Sequence, residues 1–90
     1  MEIIEKGVNP RNGGLWATFT HEGQEFYADL CDLGNLTPIP GFFEGKGTEI
    51  MIFQSEAGQV KSWRELYQKR GIPVTEKELL RCINEFVESL

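Results

Sequence analysis

The sequence predicts an α+β fold: an antiparallel sheet of four to five strands built on hairpins, packed on a C-terminal amphipathic helix, with a short helix before it. Three observations carry that expectation. Residues 14–31 read as a hairpin whose facing residues match in kind. Residues 48–54, TEIMIFQ, are β-branched and aromatic on both faces. Residues 75–90 place Leu79, Cys82, Ile83, Phe86, Val87 and Leu90 at helical spacing.

A chain of 90 residues is expected to form one small domain, residues 1–90. At 40 % hydrophobic and 26 % charged, the composition is that of an ordinary globule, so disorder is not expected. Six Phe, two Tyr and two Trp are the main core material, because each ring removes roughly 150–250 Å² from water. So short a chain needs most of them inside.

Residues 2–6 are expected as an edge strand. The hairpin that follows, 14–20 with 24–31, has its register argued from its own residues. A two-residue Glu22-Gly23 loop sets Phe19 opposite Phe26, Ala17 opposite Ala28 and Leu15 opposite Leu30, which makes one continuous apolar face. A three-residue loop would oppose Phe19 to Glu25. The Ala17–Ala28 pair leaves a hollow in which a helix can sit closely. The other face, Trp16, Thr18 and Thr20 beside Tyr27, Asp29 and Cys31, is mixed rather than polar.

The strand at 48–54 is expected inside the sheet, since it is apolar on both sides. A second turn, Glu56-Ala57-Gly58-Gln59, echoes the first. It leaves two registers open, with either Ile52 or Met51 opposite Trp63. Residues 62–70 are expected as a short helix: Ser62 and Glu65 have capping-box spacing, Trp63, Leu66 and Tyr67 share a face, and Lys69 and Arg70 precede Gly71. The rival is a strand continuing from Val60. In the C-terminal helix Thr75 and Glu78 form the capping box, and Val74 staples Leu79.

Candidate chemistry is sparse. Gly41 to Thr48 superficially suggests a phosphate loop, but the Gly-Lys spacing is one residue short and a strand follows where phosphates need a helix N-terminus. His21 is the single histidine, expected at an exposed turn. It lies more than about 20 Å from Cys31 along the strand, too far to activate it. With no Cys/His cluster, no metal and no cofactor are expected. Asp29 and Asp32 flank Cys31 but point to opposite faces. Cys31 and Cys82 each fall in an apolar element, where a free thiol packs as a small hydrophobe.

The net charge of −5 is uneven. Residues 1–35 hold six acidic and two basic side chains, whereas residues 61–90 hold five acidic and six basic. Nucleic acid is therefore disfavoured, and a contact through Arg64, Lys69 and Arg70 ranks third among the functional readings. The N-terminus MEIIEKGVNP lacks the pattern of an export signal, and no apolar run approaches the roughly 20 residues of a membrane helix. A cytoplasmic location without membrane contact is the expectation.

The stretch LTPIPGFFEGKG, residues 36–47, is either a strap across the sheet or a docking loop, with Phe42 and Phe43 as its apolar groups. One helix covers one face of a sheet. The leading expectation is therefore a small interaction or accessory protein, not an enzyme, which binds a protein partner or itself as a homodimer. Trp16, Tyr27, Phe42 and Phe43 would be the anchors. The alternative is a small-ligand site or minor enzyme, with a pocket between the 36–47 loop and the sheet and Asp29, Cys31 and Lys46 as its polar groups.

Overall fold

A computed structural model describes residues 1–33 and 47–90. The elements run β1 (Glu2–Val8), β2 (Leu15–His21), β3 (Gln24–Asp32), β4 (Thr48–Glu56), β5 (Gln59–Arg70) and α1 (Glu76–Glu88). The five strands form one antiparallel sheet in sequence order, β1-β2-β3-β4-β5. This is the expected α+β architecture, with both β3 and β4 inside the sheet.

The first hairpin has the register its side chains demand: Leu15 with Leu30, Ala17 with Ala28 and Phe19 with Phe26. Its two-residue turn needs positive φ at both centres, and Glu22 and Gly23 take φ of 51° and 80°. The second turn repeats this with Ala57 and Gly58 at 52° and 82°.

The face of Leu15, Ala17 and Phe19 carries the core. Phe26, Ala28, Leu30, Ile50 and Ile52 extend it across the sheet, and Leu79, Cys82, Ile83 and Phe86 of α1 close it. Ala17 and Ala28 are fully buried beneath the helix, so the small pair provides the hollow. Phe86 drops an edge onto Phe26 (5.1 Å between centroids), Phe19 (6.1 Å) and Tyr67 (6.0 Å). These geometries add to the area buried by each ring. Thr75 caps α1 by accepting from the Glu78 N–H at 3.2 Å, as the capping spacing requires. Leu90, expected in the buried stripe, lies past the end of the helix and is exposed.

Residues 62–70 correct the expectation of a short preceding helix. They lie in β5, which pairs along β4 as far as Glu49 with Arg70. The second turn launches the chain antiparallel to β4, whose outer backbone groups need partners; that tertiary demand overrides a short local helix signal. The helix residues serve other ends. Ser62 Oγ accepts from the Arg64 N–H at 3.3 Å. Lys69 pairs with Glu85 of α1 at 2.9 Å, and Arg70 approaches Glu49 at 3.9 Å. Gly71, at φ 75°, donates its N–H to the Thr48 carbonyl.

The second hairpin starts in the two-residue register, Glu56 with Gln59, but neither Ile52 nor Met51 comes opposite Trp63. Ser55 pairs with Val60 and Gln54 with Ser62, but Ile52 pairs with Tyr67. The ladder shifts between these pairs, so residues 63–66 bulge out of it. A bulge re-aims side chains at a sheet edge. Trp63 and Leu66, expected to pack inward, are instead 75 % and 43 % exposed.

Candidate functional site

Strand alternation sends every second residue to the face opposite α1. By register that face carries Glu5 and Gly7 of β1, Trp16 and Thr18 of β2, and Glu25, Tyr27, Asp29 and Cys31 of β3. Glu49, Met51, Phe53 and Ser55 of β4 complete it. Among the described residues, no helix or strand lies over it.

An aromatic band crosses this face. Trp16 and Tyr27 are stacked, 6.3 Å between centroids and 17° between planes. Tyr27 is the register partner of Phe53. Phe53 in turn receives Trp63 edge-on at 5.3 Å and 70°. At the other end Trp16 lies over Gly7: a Cβ added there would sit 2.9 Å from Trp16 Cζ2. The missing side chain at Gly7 is what lets the indole settle onto β1.

Two of the four sequence-predicted anchors, Trp16 and Tyr27, thus lie together, both half-buried. Phe42 and Phe43 fall outside the described residues, as do Lys46 and the pocket expected beneath the 36–47 loop. Three contributors were missed: Gly7, Phe53 and Trp63. Phe53 was readable in part: alternation in TEIMIFQ sets Glu49, Met51 and Phe53 on one face and Ile50 and Ile52 on the other, and the register of β4 on β3 decides which face is which. Trp63 was masked by its helical spacing with Leu66 and Tyr67.

The polar groups of the face are mostly acidic. Glu25 is satisfied, accepting from Ser55 Oγ at 2.6 Å and the Gly58 N–H at 3.0 Å. Glu49 is buried, accepts from Gln68 and faces Arg70. Asp29 lies between Trp16 and Met51 in register and has no hydrogen bond or ion pair among the described residues. Burial pushes its carboxyl above the ordinary value. Tyr27 is pushed up to about 12 by burial and then by the Asp29 and Cys31 charges. Cys31 is pushed up to about 11 by burial, then by Asp29, Glu49 and Asp32. A nucleophilic thiol needs the opposite shift, so at neutral pH Cys31 stays protonated.

Among the described residues no three His, Cys, Asp or Glu side chains gather as metal ligands. His21 is half-buried rather than exposed and, among the described residues, approaches Glu22 at 3.8 Å. Among the described residues, two surface hollows lie at the margins of this face. One, of about 230 Å³, is lined by Lys6, Gly7, Val8, Leu15, Glu76 and Leu79. The other, of about 210 Å³, sits where the two tight turns meet, beside Glu25 and Ser55. Neither contains Asp29 or Cys31. No described helix is long and apolar enough to cross a membrane. No family model, no curated protein and no solved structure matches this chain.

Proposed function

We propose that this is a small cytosolic interaction or accessory domain that binds a protein partner through the sheet face opposite α1. The observation that carries the reading is the aromatic band Trp16–Tyr27–Phe53–Trp63, which ends in a tryptophan 75 % exposed on an edge strand. Among the described residues no helix or strand covers that face, on which Thr18, Cys31 and Phe53 are buried, and an exposed tryptophan at its edge serves binding. The core on the other face is closed by α1, and Trp63 stands outside it.

The test is capture of proteins on the immobilised chain from extracts of its source, comparing wild type with a Trp16→Ala, Tyr27→Ala variant. Loss of a specific partner from a variant that still unfolds cooperatively supports the reading. Unchanged capture, or an unfolded variant, refutes it. Light scattering over a wide concentration range decides whether the partner is a second copy. Nucleic-acid binding through Arg64, Lys69 and Arg70 has less support, because Lys69 and Arg70 already face Glu85 and Glu49.

A further inference from the structure

We infer that the β5 edge joins two copies of this chain. The second copy docks antiparallel along β5, about a two-fold axis passing between Arg64 and Glu65, with the contact centred on residues 63–66. This goes beyond the docking face proposed above: it shares Trp63 with that face but needs neither Trp16 nor Tyr27.

Exposure is the first ground. β5 is an outer strand of the sheet. Residues 61–66 are all exposed, Trp63 by 75 % and Leu66 by 43 %. Lys61, Lys69 and Arg70 already face Glu56, Glu85 and Glu49. Arg64 and Glu65 have no ion pair among the described residues.

Self-complementarity is the second ground. β5 runs from Gln59 to Arg70, so its midpoint falls between Arg64 and Glu65. Laid antiparallel on its own copy about that point, the strand sets Arg64 opposite Glu65 and Trp63 opposite Leu66, and symmetry makes each pair twice. Opposite charges and apolar groups at facing positions stabilise two strands, whereas facing like charges destabilise them. The neighbouring registers centre on Arg64 or on Glu65 and set that residue against itself. At the other edge of the sheet, the same operation on β1 sets Glu5 against its own copy.

The third ground is the bulge. A two-fold pairing needs its facing residues on one side of the sheet. In a regular strand Ser62 and Tyr67, an odd number of positions apart, would fall on opposite sides. Here they share the α1 side, because they register with Gln54 and Ile52, the partners of core residues Phe26 and Ala28. Trp63 lies against Phe53 on the other side, and alternation from Tyr67 sends Leu66 there as well. Bulges commonly blunt an edge against indiscriminate pairing. This one restores the match of sides that the spacing of Trp63 and Leu66 would otherwise deny.

The experiment is sedimentation of the full chain from micromolar to millimolar concentration. It compares wild type, Arg64→Glu, Glu65→Arg, the double variant carrying both, and an equimolar mixture of the two single variants. Wild type is expected to dimerise. Each single variant opposes like charges twice per dimer and should weaken dimerisation by about 10-fold or more. The double variant and the mixture restore opposite charges at both pairs, so both should dimerise again, a rescue that a folding defect at either position would not give. A monomeric wild type, a dimer indifferent to the single variants, or failure of either rescue overturns the inference. A dimer lost in the Trp16→Ala, Tyr27→Ala variant but indifferent to Arg64 and Glu65 places self-association on the docking face and overturns the edge alone. A dimer governed by Arg64 and Glu65 stands even if the Trp16→Ala, Tyr27→Ala variant captures the same proteins as wild type, a result that overturns only the docking face.

Discussion

Replacing Gly7 by Ala is the smallest change that probes the geometry of the site. The new methyl would sit 2.9 Å from Trp16 Cζ2 and 3.0 Å from Cε2 and Nε1. Carbon contacts prefer roughly 3.5–4.0 Å, so the indole must lift off β1 by about half an ångström to one ångström. Overpacking of this kind costs about 1–3 kcal/mol. Against it stands the gain of about 0.5–1 kcal/mol from removing a glycine from a strand interior. The net expectation is a loss of about 1–2 kcal/mol, or some 4–8 °C in Tm for each kcal/mol in a domain of this size. Urea unfolding followed by tryptophan fluorescence measures it. The same substitution made in a Trp16→Ala background has no ring to strike, so there Gly7→Ala should be neutral or stabilising. Equal destabilisation in both backgrounds would refute the argument that Gly7 exists to seat Trp16.

Other consequences concern the core and its titrating groups. Phe86→Ala removes the ring that meets Phe19, Phe26 and Tyr67, at a cost of about 3–5 kcal/mol; a loss under 1 kcal/mol by urea titration would contradict the core assigned to it. Asp29, with its folded pKa raised above 3.8, binds its proton more tightly folded than unfolded, so its contribution is greatest below that pH and is lost as pH rises through the folded value. Asp29→Asn is therefore expected to be more stable than wild type at pH 7, with the advantage fading in acid; a variant less stable at pH 7 would show that the carboxylate has a favourable partner. Cys31 and Cys82, both buried, with burial raising both thiols, should resist a thiol reagent in the folded chain and react promptly in urea. Labelling of the folded chain at the rate of a free thiol would argue against this packing.

How far the sequence reaches depends on how many constraints coincide at a residue. The first hairpin was legible because three independent pairs, Leu15–Leu30, Ala17–Ala28 and Phe19–Phe26, agree on one register and one turn. The C-terminal helix was legible because its cap and its stripe agree, and Thr75 and Phe86 occupy the roles their spacing implies. Residues 62–70 carried contradictory local signals, and there the pairing demand of β4 decided. The register shifts around Gln54 that expose Trp63 answer to the whole sheet and leave no mark in local spacing. The site was half legible for the same reason. Alternation alone put Trp16 and Tyr27 on one face, but Gly7 reaches it only through a bulge between Ile3 and Glu5 that resets the register of β1. Trp63 joins from β5, where local spacing favours a helix.

The docking face is tested most directly by the urea unfolding curve of the Trp16→Ala, Tyr27→Ala variant measured beside wild type and Phe86→Ala. If these rings serve a partner, the variant keeps a cooperative transition, with a midpoint shifted less than that of Phe86→Ala. Loss of the transition would place Trp16 and Tyr27 in the core and contradict the account.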